Sequence, residues 1–273
     1  MRELLTVGPC EWAELGVVPG AFPECRVTER RREADALAHL AAGAVDVVVI
    51  GPSASASRVI NIARQASRLQ PGVRVIVLAR EMAPSDIIAA LRNDVYATFA
   101  LPASPDDLRA IIGQALDDEQ WQSGIQVESA VPDWIALRVA CRRVNAERLT
   151  HFMSQLAGDL PATDRHHLVT AFREVLLNAM EHGAAFDPGK VVEVHAVRTD
   201  RALLYYFKDP GPGFDTSAPG MVASEDDPLS HLDERAARGR RAGGFGLLLA
   251  SRLVDEVRFS EKGNEVILVK HLD

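Results

Sequence analysis

The sequence predicts a two-domain protein of the α/β class, with a doubly wound parallel sheet followed by an α+β sandwich. In the first half, short apolar runs without polar alternation are separated by stretches of helical spacing, the pattern of parallel strands buried on both faces. In the second half, helices are grouped before and between consecutive strands, which favours helices on one face of a mixed sheet. With 273 residues, the chain is long enough for two hydrophobic cores.

The first half alternates strand and helix candidates along its whole length. The predicted strands are "RELLTVG", "AVDVVVIGP", "VRVIVLA" and "ATFALP". The predicted helices are "EADALAHLAAG", "SRVINIARQASRLQPG", "APSDIIAALRND" and "SPDDLRAIIGQALDDE", the last with Ser104 or Asp106 as its cap. The polar stretch "DDEQWQSGIQVESAVPD" then predicts a linker. We therefore assign a first domain to residues 1–118, a linker to 119–132 and a second domain to 133–273.

The order of elements over residues 1–118 resembles a response-regulator receiver domain, which has a flavodoxin-like fold. The resemblance implies a phosphoacceptor aspartate after the third strand, but that position falls at Gly51. The acidic pair expected near "VGPC" is absent, and Ala79 and Leu101 stand where the family has a hydroxyl residue and a lysine. Phosphoryl transfer to such a site needs a carboxylate, a metal and countercharge. We expect a degenerate receiver-like domain that serves as a dimerisation or docking surface. The alternative is a flavodoxin-like domain with another purpose.

The second half has longer elements in a different order. A strand, "WIALRVACR", precedes the helices "AERLTHFMSQLAGDL" and "TDRHHLVTAFREVLLNAMEHG", the second with Thr163 or Asp164 near its start and Gly183 just beyond its end. Two strands follow, "KVVEVHAVRT" and "ALLYYFKD", and later the hairpin "VDEVRFSEKGNEVILVKHL", which turns at residues 262–264. This order predicts the α+β sandwich.

The second of these helices carries a line of polar residues beside its apolar stripe. Glu174, Asn178 and His182 follow one another at four-residue intervals. Asparagine is a weak helix former, and its amide oxygen is a ligand that magnesium bound to nucleotide phosphates accepts. Glu174, one turn earlier, is placed to take a proton from an attacking hydroxyl or water. The alternative for this line is a solvated helix face.

Two glycine-rich segments follow in the sequence. In "YYFKDPGPGFD", Asp209 ends a strand, and a buried carboxylate at this place can accept a hydrogen bond from the exocyclic amine of adenine. Neighbouring glycines let the backbone approach a flat base, although an ordinary tight turn has the same composition. In "GRRAGGFGLLLASRLVDEV", glycines run directly into a helix, whose N-terminal N–H groups favour phosphate. Arg238, Arg240 and Arg241 lie just upstream.

Together the three segments resemble the GHKL ATPase superfamily over about residues 133–273. "EVLLNAMEHG" matches its N box, "DPGPGF" its first glycine box and "GGFGLLL" its second. Within it, the short layout and the chain end look most like the bacterial anti-sigma-factor serine kinases. The resemblance implies Mg²⁺ and ATP, and a mobile lid at about 216–242. The residue roles it implies are Glu174 as general base, Asn178 as magnesium ligand, Asp209 on adenine with Gly211 and Gly213 shaping its pocket, and Gly244, Gly246 and Arg241 at the phosphates.

The resemblance leaves three functions open. The first is a serine/threonine kinase that phosphorylates a STAS-type anti-anti-sigma protein in partner switching, with a sigma factor as a further candidate partner. The second is a sensor histidine kinase, for which His151, His166 and His167 are candidates by residue type. The third is a binding protein in which ATP orders the lid without phosphoryl transfer.

Composition restricts the partners and the compartment. A net charge of −8 argues against general affinity for nucleic acid or anionic membranes. Three cysteines without CxxC spacing indicate reduced thiols and no metal site. The first residues lack a signal-peptide layout and no apolar run has membrane-spanning length. We expect a bacterial cytoplasmic signalling protein, and a homodimer is compatible with the sequence.

Overall fold

The computed structural model describes residues 1–18, 20–52, 55–213 and 245–272. It divides the chain into two compact units, Met1–Ser123 and Gly124–Asp273. The predicted linker, 119–132, contains a 3₁₀ turn at Trp121–Ser123 and a strand at Ile125–Val131 that belongs to the second unit. Its polar residues alternate with apolar ones, as in an edge strand with one solvated face. Among the described residues, no helix combines the length and the apolar character needed to cross a membrane.

The first unit is a parallel five-stranded sheet in the order β2-β1-β3-β4-β5, the flavodoxin-like order. This confirms the predicted doubly wound fold. Its strands are β1 (Arg2–Val7), β2 (Cys25–Arg30), β3 (Val47–Ile50), β4 (Arg74–Ala79) and β5 (Ala97–Ala100). Its helices are α1 (Glu33–Ala42), α2 (Ala56–Leu69), α3 (Pro84–Arg92) and α4 (Pro105–Asp117).

Strand β2 is absent from the sequence prediction. The central strands β3 and β4 are buried at every position and therefore read as continuous apolar runs. Strand β2 lies at the edge of the sheet, and its segment "CRVTER" is only partly buried. A polar edge strand of this kind lacks the signal by which the others were found.

The end of β3 in the first unit has no room for a side chain. A β-carbon built on Gly51 would lie 3.0 Å from the carbonyl oxygen of Val7, 3.1 Å from Trp12 Cζ2 and 3.2 Å from Cys10 Cβ. Trp12 is only 5% exposed, so its ring is held by its surroundings. The position at which the resemblance places a phosphoacceptor is therefore crowded by packing as well as changed in sequence.

We expect Gly51→Asp to lower the free energy of unfolding by about 1–3 kcal/mol, because the new carboxylate must displace Trp12. The variant should gain no phosphate from acetyl phosphate. Urea unfolding and intact-protein mass measure the two effects. Gly43→Asp is the matched control, since a β-carbon there meets nothing within 4 Å, and it should cost less than about 1 kcal/mol. A phosphate-sized mass gain in Gly51→Asp would show that the site is open after all.

The second unit is a six-stranded sheet in the order β10-β11-β9-β8-β7-β6, with helices against it. The predicted α+β sandwich is confirmed, but every pair of strands is antiparallel, so the expectation of a mixed sheet is wrong. Its strands are β6 (Ile125–Val131), β7 (Trp134–Ala140), β8 (Val191–Arg198), β9 (Ala202–Lys208), β10 (Glu256–Phe259) and β11 (Glu265–His271). Its helices are α5 (Arg143–Leu156), α6 (Ala162–Asn178) and α7 (Phe245–Leu253).

The core of the second unit lies between the sheet and α6. The apolar stripe predicted along one side of this helix is buried. Its members are Leu168, Phe172, Val175, Leu176 and Ala179. Phe172 from this stripe meets Tyr205 and Phe207 of β9, with ring centroids 5.1 and 5.0 Å apart. These contacts fix the rotation of α6 about its axis and hence the direction of its polar line.

Candidate functional site

Glu174 and Asn178 lie on α6 and face the first turn of α7, which packs against that helix. A β-carbon built on Gly246 would lie 2.7 Å from Glu174 Oε2 and 2.9 Å from Asn178 Nδ2. A larger residue at position 246 would push both polar groups away from the positions they hold beside α7. The structure therefore brings the carboxylate and the amide of α6 together with the start of α7, a separate segment of the chain.

The side-chain amide of Asn178 has a nitrogen without a hydrogen-bond partner among the described residues. This nitrogen, Nδ2, is buried. A buried polar group without a partner costs about 1–3 kcal/mol, and such groups are rare unless they serve a ligand or a bound ion. Asparagine supplies the oxygen that Mg²⁺ accepts as one of its few protein ligands. The nitrogen itself cannot bind a cation, so its N–H groups fit a phosphate oxygen, and the amide oxygen beside it is the atom that would fit the magnesium of a magnesium–nucleotide complex.

Helix α7 adds backbone donors to this place. The first N–H groups of a helix have no partner within it and carry partial positive charge. Gly246 is the second residue of α7 as the structure describes it, so the described start of this helix lies beside Glu174 and Asn178. Gly244, Arg241 and the predicted lid, 216–242, lie outside the described residues.

Asp209 lies directly after β9 and is held through its backbone. Its N–H donates to the carbonyl oxygen of Asn264 at 3.0 Å, and Asn264 Nδ2 donates back to the carbonyl oxygen of Asp209 at 3.2 Å. Its side-chain Oδ1 accepts the N–H of Gly211 at 2.7 Å. Among the residues that the structure describes, the second carboxylate oxygen accepts no hydrogen bond, and recognition of an adenine amine would use such an oxygen.

Two glycines make room for this carboxylate. A β-carbon on Gly211 would lie 2.7 Å from Asp209 Oδ1 and 2.7 Å from the Cα of Gly183. A β-carbon on Gly183 would overlap the carboxylate itself. Gly213 has a different role, because its φ of +79° and its closeness to the carbonyl oxygen of Lys262 fix the path of the loop.

Burial raises the pKa of the Asp209 carboxyl above its ordinary value, while the Gly211 hydrogen bond and nearby Lys262 act in the opposite direction. The folded state then holds a proton more readily than the unfolded chain does. The charged carboxylate therefore opposes folding at neutral pH, and this opposition fades as the pH falls below the raised pKa. A carboxylate that remains buried although its charge destabilises the folded state is a candidate for a functional residue.

One helix connects the two parts of the site. Beyond Asn178, α6 continues as a π-helical turn, Ala179–Gly183. Turns of this kind are rare and often occur at functional sites. Gly183 ends this turn against Asp209. From the sequence, Gly183 is predicted only to lie just beyond the helix end, with no part in the site, and its one sequence signal is its position at the end of "EHG".

The ion pair between α5 and α6 has no signal in the sequence. Arg173, the residue before Glu174, binds Glu147 of α5 through two hydrogen bonds. Its Nη1 also lies 3.6 Å from Glu174 Oε1. The contact joins two helices and has no signature in the spacing of either.

Comparison with known proteins supports this description of the second unit. Residues 139–270 match the family described as Histidine kinase-like ATPase domain. The match supports ATP binding and a kinase-like function for these residues. No curated protein matches the chain.

Solved structures similar to the chain include receiver domains. A receiver domain protein (CheY-like) from Methanospirillum hungatei is 18% identical, with a TM-score of 0.39, over 45% of this chain and 98% of the other. A receiver domain protein from Clostridium thermocellum is 15% identical, with a TM-score of 0.37, over 45% and 99%. A LuxR family DNA-binding response regulator from Silicibacter pomeroyi is 24% identical, with a TM-score of 0.37, over 43% and 93%.

Proposed function

We propose that this chain is an ATP- and magnesium-dependent protein serine/threonine kinase of the anti-sigma-factor type, which phosphorylates a STAS-type partner and regulates signalling by partner switching. The observation that carries the proposal is the placement of the Glu174 carboxylate and the Asn178 amide against the first turn of α7. The match of residues 139–270 to the histidine kinase-like ATPase family supports the nucleotide.

Each residue has a role in the proposed reaction. Asp209 accepts a hydrogen bond from the adenine amine, and Asn178 holds the metal. Magnesium, when bound, neutralises negative charge on the phosphates. Glu174 takes the proton of the partner's hydroxyl, whose oxygen forms a bond to the γ-phosphorus as the bond to the bridging oxygen of ADP breaks. The N–H groups of α7 stabilise the charge that develops.

Incubation of the full chain with γ-labelled ATP, with and without candidate STAS-type proteins, tests the proposal. We expect label on a serine or threonine of the partner and none on the chain itself. Label on a histidine of the chain would instead indicate a histidine kinase. Nucleotide binding without any labelled product would indicate a binding protein that uses ATP only as a ligand.

A further inference from the structure

Arg173 is held by an ion pair that crosses from α6 to α5. Its Nη2 donates to Glu147 Oε1 at 2.6 Å and its Nε to Glu147 Oε2 at 3.2 Å. This is the two-bond geometry in which a guanidinium binds a carboxylate with a fixed orientation. The hydrogen bond to Glu147 raises the pKa of the guanidinium above its ordinary value, so the positive charge persists.

The third nitrogen of Arg173 is turned towards the proposed base. Its Nη1 lies 3.6 Å from Glu174 Oε1. The other oxygen of that carboxylate, Oε2, lies on the side of Gly246 and Asn178. The two oxygens of Glu174 are thus divided, with one towards the guanidinium and one towards the nucleotide site.

We propose that Arg173, anchored by Glu147, is a positioning residue that fixes the Glu174 carboxylate with Oε2 directed at the first turn of α7. The inference rests on the proposed function, because it assumes that Glu174 acts as the base. Residues 147, 173 and 174 form what we call the carboxylate clamp. The printed contacts place Arg173 and Asn178 of α6 and Gly246 of α7 beside Glu174, and Glu147 of α5 is connected to it through Arg173.

The three side chains of the clamp are partly exposed, which favours a role in orienting Glu174 over a role in stabilising the fold. The side chains of Arg173, Glu147 and Glu174 are 40%, 39% and 29% exposed. Ion pairs in such surroundings contribute about 0–1 kcal/mol to folding. A general base, by contrast, needs its oxygen in one direction, and a displacement of about 1 Å can cost about 10²-fold in rate. The effect of removing the clamp should therefore be seen in catalysis.

The test compares Arg173→Gln, Arg173→Lys and Glu147→Gln in the full chain with a matched control, Arg198→Gln. Arg198 makes a similar two-bond ion pair with Asp159 in the same unit. We expect Arg173→Gln to slow single-turnover transfer about 10- to 100-fold, with the Kd for Mg·ATP changed by less than about threefold. Arg173→Lys keeps the charge and should restore part of the rate. Arg198→Gln should change neither quantity.

A double variant examines the anchor. Glu147→Gln should slow transfer less than Arg173→Gln does, and Glu147→Gln combined with Arg173→Gln should be no slower than Arg173→Gln alone. Additive losses would show that Glu147 acts by another route and would overturn the clamp. An unchanged rate in Arg173→Gln, or a loss of ATP affinity equal to the loss of rate, would do the same.

A measurement without nucleotide separates the clamp from the kinase proposal. In ¹⁵N spectra of the nucleotide-free chain, Arg173→Gln should move the resonances of the Asn178 side-chain amide and the Gly246 backbone amide, and Arg198→Gln should not. Unmoved resonances in Arg173→Gln overturn the clamp. If the wild-type chain transfers phosphate to no partner, the proposed function fails, but moved resonances still support the positioning of Glu174.

Discussion

Glu174→Gln is expected to slow phosphoryl transfer by about 10²–10⁴-fold, the usual contribution of a general base. Glutamine has almost the same shape as glutamate and keeps the contact with Gly246, but its amide does not accept the proton of the attacking hydroxyl. Binding of Mg·ATP should change by less than about threefold, because the base acts on the transition state and not on the bound nucleotide. Single-turnover transfer and calorimetric titration with Mg·ATP measure the two quantities.

Glu181→Gln is the control for the loss of one negative charge near α6. Glu181 is exposed in the π-helical turn that follows α6. Its replacement should leave the rate within about twofold, as surface substitutions away from special features usually have small effects. Equal losses of binding and transfer in Glu174→Gln would remove its assigned role as base and leave it a binding residue.

Gly183→Ala is expected to weaken Mg·ATP binding roughly 10- to 100-fold. The effect would act through Asp209 and not through Glu174 or Asn178. Its methyl group would overlap the Asp209 carboxylate, so Asp209 must leave its place after β9. The loss of a hydrogen bond to a charged group costs about 1.5–3 kcal/mol, which corresponds to that change in affinity. Titration with ATP and with GTP measures both the affinity and the preference for adenine, and both should fall.

Gly189→Ala provides the comparison within the same unit. A β-carbon there would lie 3.3 Å from Oδ1 of Asp187, an exposed side chain that accepts the N–H of Gly189 and would need to shift only slightly. This variant should bind ATP like the wild type. If Gly183→Ala also binds ATP normally, with its preference for adenine intact, Asp209 is not the residue that recognises the base.

The sequence was most informative where function depends on local spacing. Glu174 and Asn178 are one helical turn apart on a strongly patterned helix, so their common direction followed from the period of α6 alone. The buried strands β3 and β4 were equally clear, because parallel strands with two covered faces are apolar throughout.

Other features depend on packing between segments and have no local pattern. The ion pair of Arg173 with Glu147 is set by the way α5 and α6 pack, which the spacing of neither helix encodes. The wholly antiparallel order of the second sheet likewise depends on where each strand returns after its helices. Strand β6 lies in a polar stretch that was predicted to be a linker. An edge strand needs few apolar residues, so it has little signal in the sequence.

The π-helical turn at Ala179–Gly183 has a consequence for the geometry of the whole nucleotide site. Each residue of a π-helical turn rotates the chain by a smaller angle than a residue of an α-helix does. The turn therefore determines the direction of side chains at residues 179–183 relative to those on α6. The α-helical part aligns the carboxylate of Glu174, the proposed base, and the wide turn aligns Gly183 beneath Asp209. The two ends can therefore differ in orientation, while one continuous helical segment sets the distance between Asn178 and the Asp209 carboxylate.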